Sequence, residues 1–211
     1  LVEIALVTAF RLAGYRPVIL TDYDRWMEAY YCEIGVQEHL YWDDCFRHVP
    51  MAEAVHLMAS IGSFEQLIKT DYCGARVGKY AASTVLRHLR VGRLDLSDRT
   101  VRDALLPFLH RAMCYARTAE AIVETLRPQL VLSVDTGYSP RGELFDLCLA
   151  AGIDTITWNA AHRNNQLMLK RYSRGNREVH PASLSASTWG ELQAKPWTEA
   201  DRNLLRRELV G

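Results

Sequence analysis

The stretch from residue 129 to residue 158 constrains the fold more than any other part of the chain. It runs as an apolar strand (129–134), a polar turn (135–140), a helix (141–151), Gly152 and a second apolar strand (155–158). Two apolar strands joined by a single helical crossover are expected to lie parallel, with right-handed connection. The N-terminal part repeats half of this pattern. Residues 1–13 carry Leu1, Ile4, Ala5, Thr8, Ala9 and Leu12 at helical spacing, Gly14 ends the helix, and residues 17–20 form a short strand. Thr21 and Asp22 then open a helix to about Glu33, and residues 36–42 fit another strand. The first strand of this unit is expected just upstream of Leu1, so the chain reads as a trimmed fragment.

Between these halves the pattern is helical over about 51–68, 77–90 and 98–126, the last opened by Ser97-Asp98 and containing Pro107. Residues 167–172 form a weaker strand, 173–188 are polar and Ser-rich, and Thr198 caps a terminal helix over 199–210. The fold class is therefore α/β, a Rossmann-like three-layer domain with a central parallel sheet and a helical insertion. Residues 1–196 make the domain, and 197–211 a terminal helix or linker toward a second domain, with Trp189 and Trp197 packing this end against the first.

Twenty-five basic and 25 acidic residues cancel, so no global field attracts nucleic acid, which is not expected as a partner. The charge is uneven: residues 22–44 are acidic, whereas 159–180 carry Arg163, Lys170, Arg171, Arg174 and Arg177 against Glu178. Such a basic segment suits an anionic ligand or lipid headgroups, or is simply a solvated face. The five cysteines stand singly, which fits a reducing compartment rather than a disulfide framework. A cytoplasmic location, compatible with peripheral association at the inner face of a membrane, is expected.

Ligands of open parallel sheets bind beyond the carboxyl ends of the strands. Two such ends are readable. The first holds Asp135, Gly137, Tyr138, Ser139 and Arg141 before a helix N-terminus; Asp135 stands where a general base would stand. It also fits an Asx-turn, with Arg141 paired to Glu143 in solvent. The second holds Asn159, His162, Arg163 and Asn164, groups suited to sugar hydroxyls or phosphate. Residues 72–79 imitate a phosphate loop but have Tyr80 where Ser or Thr is required. Ser139 misses the GxSxG nucleophile pattern by one position and reads better as a helix cap. The other histidines show no metal-ligand spacing, and no metal or cofactor is expected.

The order of features resembles the N-terminal half of bacterial GT-B glycosyltransferases of capsule and surface-polysaccharide biosynthesis. The resembling residues are Ala9-Phe-Arg-Leu-Ala-Gly-Tyr-Arg-Pro-Val-Ile-Leu20, Gly78-Lys79, Leu89-Arg-Val-Gly-Arg-Leu-Asp95, Arg127-Pro-Gln-Leu-Val-Leu132, Tyr138-Ser-Pro-Arg-Gly142, Ala151-Gly-Ile153, Leu169-Lys-Arg-Tyr172 and Lys195-Pro-Trp-Thr-Glu-Ala200. The resemblance implies an acceptor-binding domain whose partner domain binds a nucleotide sugar. It further implies metal-independent transfer to a glycan or lipid-linked acceptor. Asp135, then His162, would be the base, with Tyr138, Arg141, Asn159, Arg163 and Asn164 binding substrate. The competing readings are a hydrolase using Ser139 and a non-catalytic sugar- or nucleotide-binding module.

Overall fold

The computed structural model describes residues 2–22, 25–161 and 166–210. The chain opens with α1 (Val2–Leu12), β1 (Ile19–Thr21), α2 (Arg25–Glu33), β2 (His39–Tyr41) and the single turn α3 (Trp42–Cys45). Gly14, at φ +87°, ends α1 in a left-handed turn. There Tyr15 N–H reaches back 3.0 Å to Phe10 O, a closure that a side chain at residue 14 would strain. β1 and β2 pair in parallel, Ile19 opposite His39.

The helical middle consists of α4 (Met51–Ala59), α5 (Phe64–Lys69), α6 (Val77–Leu89) and α7 (Arg99–Leu126). The expected single helix over 51–68 is two, because Ser63 starts a new helix by accepting Gln66 N–H on its hydroxyl at 3.2 Å. α7 begins where expected, with the Asp98 carboxylate accepting Thr100 N–H at 2.7 Å, and runs through Pro107 without ending. Its 28 residues make a rod of about 42 Å. Leu105, Leu109, Ala112, Ala116 and Ala119 along one side of that rod are all fully buried. With Leu67, Val77, Val85 and Leu147 they belong to the main apolar core, which is thus built by α4 to α7 together with the next helix, α8 (Arg141–Ala150).

β3 (Leu130–Ser133) precedes α8, and β4 (Asp154–Ala160) and β5 (Leu167–Tyr172) follow it. β3 and β4 are parallel, as the crossover requires, with Ser133 opposite Thr157. β5 runs antiparallel to β4, Ala160 opposite Leu167. The link between them is too short for a crossover, so reversal is the only way to pair. The strands therefore form two small sheets, one of two strands and one of three, rather than one central parallel sheet. Leu20 of β1 and Leu144 of α8 meet at a second apolar cluster around Trp42, Tyr115 and Ile122, so the first sheet and α8 are both tied to α7.

Helices α9 (Ala186–Ala194) and α10 (Glu199–Val210) close the chain. α9 replaces part of the expected Ser-rich loop. Trp189 and Trp197 do not pack into the domain: they stay more than half exposed and line a groove between α9 and α10. Among the described residues no helix is long and apolar enough to cross a membrane.

Candidate functional site

The turn from β3 into α8 is held by a set of polar contacts. Ser133 Oγ donates to Asp135 O at 3.2 Å, and Asp135 Oδ1 accepts Gly137 N–H at 2.8 Å, so Asp135 does form an Asx-turn. Tyr138 O accepts Gly142 N–H at 2.8 Å, and the Arg87 guanidinium from α6 lies 5.4 Å over the Tyr138 ring. Asp135 stands two residues beyond the registered pair Ser133 and Thr157 and leaves the sheet at its carboxyl end, whereas Asn159 does not open a loop there, because β4 runs on to Ala160 and pairs Asn159 with Met168 of β5. Both are half-buried, and Arg141 is exposed. His162, Arg163 and Asn164 lie outside the described residues.

Two expectations about this turn change. Ser139 does not cap α8: the helix has no side-chain cap, and the Ser139 hydroxyl instead donates to the Glu143 carboxylate. Glu143 does not meet Arg141 in solvent, because it is fully buried. Burial pushes its carboxyl up to about 8, against the opposing hydrogen bond from Ser139, and Asp146 one turn on adds to the rise. Glu143 Oε2 has no hydrogen-bond partner. At neutral pH this side chain is thus mostly a neutral acid beneath the turn. An exposed Glu at a helix start is the ordinary expectation, and nothing in the local sequence distinguishes Glu143 from one.

Asp146 is buried in a contact with Arg76. Its carboxylate takes Arg76 through Nη2 at 2.9 Å and Nε at 3.1 Å, and accepts Arg76 N–H at 3.0 Å. Arg76 also pairs with Glu178, which Lys79 reaches at 3.2 Å. One guanidinium thereby joins the start of α6, the middle of α8 and the segment after β5. The imitation phosphate loop lies here, and Gly78 serves packing instead. A Cβ at residue 78 would stand 1.9 Å from Leu67 O, so only glycine lets α6 cross α5 at this point.

The basic segment after β4 is largely committed to internal partners. Arg171 pairs with Asp154 at 2.9 Å, Lys170 donates to His180 O at 2.7 Å, and Arg174 donates to Leu149 O and Ala150 O at the end of α8. Arg177 faces Glu178 and, at 3.9 Å, Asp146. Among the described residues one cluster has metal-ligating chemistry: His48, His110 and Cys114, at the cavity beside α3 and α7. His110 and Cys114 are one helical turn apart, a spacing visible in the sequence, but His48 joins them only through the fold.

Fold and site together define a class: a helix-rich α/β protein with a polar turn at the carboxyl ends of a parallel strand pair. Comparison of the chain with protein-family models, curated proteins and solved structures finds no match.

Proposed function

We propose that this chain is the acceptor-binding, Rossmann-like domain of a metal-independent glycosyltransferase of the GT-B type. It would act in surface-polysaccharide synthesis at the cytoplasmic face of a membrane. The sugar passes from a nucleotide sugar, held by a second α/β domain, to a glycan or lipid-linked acceptor. One observation supports this reading most: Asp135 leaves the sheet at the carboxyl end of a parallel strand pair, where ligands of such sheets bind. Asp135 takes the proton of the attacking hydroxyl, with His162 the second candidate. Tyr138, Arg141, Asn159, Arg163 and Asn164 orient the acceptor.

The test is binding by the 211-residue chain, read by amide chemical shifts against a panel of oligosaccharides and lipid-linked analogues. Shifts confined to residues near 133–143 and 157–161 are expected. Shifts elsewhere, or none across the panel, overturn the reading. In an active transferase containing this chain, Asp135→Asn should lower turnover roughly 10²-fold while the fold persists. Turnover within a few-fold of wild type moves the role to His162, tested by His162→Ala.

The contact between Ser139 and Glu143 favours one other reading, a hydrolase with Ser139 as nucleophile. A carboxyl pushed up to about 8 is mostly protonated at neutral pH, so little of it is free to take the Ser139 proton there. Labelling of Ser139 by a phosphonate probe would support the hydrolase against the transferase.

A further inference from the structure

We propose that His48, His110 and Cys114 form a binding site for one zinc-class transition-metal ion, open on one side to the cavity between α3 and α7. The case begins with α7. His110 and Cys114 are four residues apart, so both project from one face of the helix. His48 arrives from the link between α3 and α4, and its neighbours hold it there. Arg47 N–H donates to Thr118 Oγ1 at 2.9 Å, Val49 N–H donates to Cys114 Sγ at 3.4 Å, and Val49 O lies 2.6 Å from His110 Nε2. With the residues on both sides of it pinned to α7, His48 is set over His110, their rings 5.5 Å apart and near perpendicular.

One ligand atom from each of the three residues lies within 4.8 Å of the other two. Zinc bonds of about 2.3 Å to sulfur and about 2.0–2.1 Å to nitrogen bring such atoms to roughly 3.3–3.6 Å separation. His48 is the exposed member, so rotation of its side chain closes the difference without moving the core. Two imidazoles and one thiol suit zinc and its neighbours, and disfavour magnesium or calcium, which take oxygen.

Val49 supplies the outer shell for the half-buried His110 and the buried Cys114. Its N–H points at the sulfur, as a metal thiolate requires, and its carbonyl holds the His110 ring. Coordination through His110 Nδ1 keeps that second bond; coordination through Nε2 replaces it. The fourth position faces a cavity of about 350 Å³, lined also by Asp43, Phe46, Pro107 and Arg111, whose guanidinium donates to Tyr115 OH, with room for a water or the Asp43 carboxylate. On binding, the Cys114 thiol proton passes to solvent and the sulfur enters as thiolate. The cluster is separate from the turn at 135–143, so the inference does not depend on glycosyl transfer.

The experiment titrates Co²⁺ alone into the untagged, reduced 211-residue chain, followed by absorbance. A saturable 1:1 spectrum is expected, with a thiolate charge-transfer band and visible bands of four-coordinate intensity, all displaced by Zn²⁺. Cys114→Ser should lose the charge-transfer band, and Cys45→Ser should keep it. His48→Ala, an exposed change that leaves the core intact, should weaken Co²⁺ binding roughly tenfold or more. A band that survives Cys114→Ser overturns the site. Should Cys114→Ser fail to fold, unchanged affinity in His48→Ala overturns it, as does the lack of any saturable spectrum in the parent chain.

Discussion

Glu143 is the residue whose environment departs furthest from its sequence. Its carboxyl titrates near the ordinary 4.5 when unfolded and near about 8 in the fold. Between those values the folded chain keeps a proton that the unfolded chain has released. Stability therefore falls as pH rises through that window and levels off above about 8, with a limiting slope of about 1.4 kcal/mol per pH unit from this group. Glu143→Gln cannot ionise and should remove the slope. Urea unfolding of both proteins from pH 5 to 8 measures it; equal slopes would show that Glu143 is not the titrating group. Asp146, one turn along α8, is buried too, but Arg76 meets both of its carboxylate oxygens. Two buried carboxyls on one helix thus differ in their partners: a guanidinium meets Asp146, and a hydroxyl meets Glu143.

At the scale of elements, the helices meet through two glycines whose roles the sequence did not disclose. A Cβ at residue 142 would stand 2.3 Å from two carbons of the Tyr80 ring, so α8 approaches α6 only because Gly142 is bare. Gly142→Ala should cost about 1–3 kcal/mol by overpacking. In the background of Tyr80→Leu that cost should shrink, a coupling read from a double-mutant cycle in urea. Additive costs would place the strain elsewhere. Most elements themselves were legible: the helices over 77–90, 98–126, 141–151 and 199–210 and the strand over 167–172 follow from apolar period and caps. α9 was not, because its held start at Ser185 lacks the apolar stripe that marks a core helix. The antiparallel turn of β5 was implicit in the short link after β4. The division into two sheets was not, since strand pairing across five intervening helices leaves no local signal. Of the candidate site, Asp135 was legible because a polar residue directly after an apolar strand stands out, whereas Asn159 lies within β4, which runs on to Ala160. Glu143, Asp146 and the cluster at His48 were hidden, because their meaning lies in contacts distant along the chain.

For the whole molecule, α7 is the spine. It carries apolar contacts to α4, α6 and α8, and through Tyr115 and Ile122 it reaches Trp42 and the first sheet. The C-terminal pair is the opposite case. Neither α9 nor α10 has a buried residue, and the apolar groups they share, Trp189, Leu192, Trp197, Leu204 and Leu205, face one another across their own groove. A helix pair of this kind adds little to the cooperative unit, because hardly any of its surface is withdrawn from water by the rest of the fold. Deletion of residues 185–211 should therefore change the unfolding free energy of the remainder by less than about 1 kcal/mol. The cut leaves in place Lys170 and the carbonyls of His180 and Ser183 that it bonds. Amide exchange in the intact chain should agree: fast over 186–210, and slowest in α7, whose opening needs the whole core to open. A deletion that lowers stability by several kcal/mol, or exchange in α10 as slow as in α7, would mean that the pair belongs to the core after all.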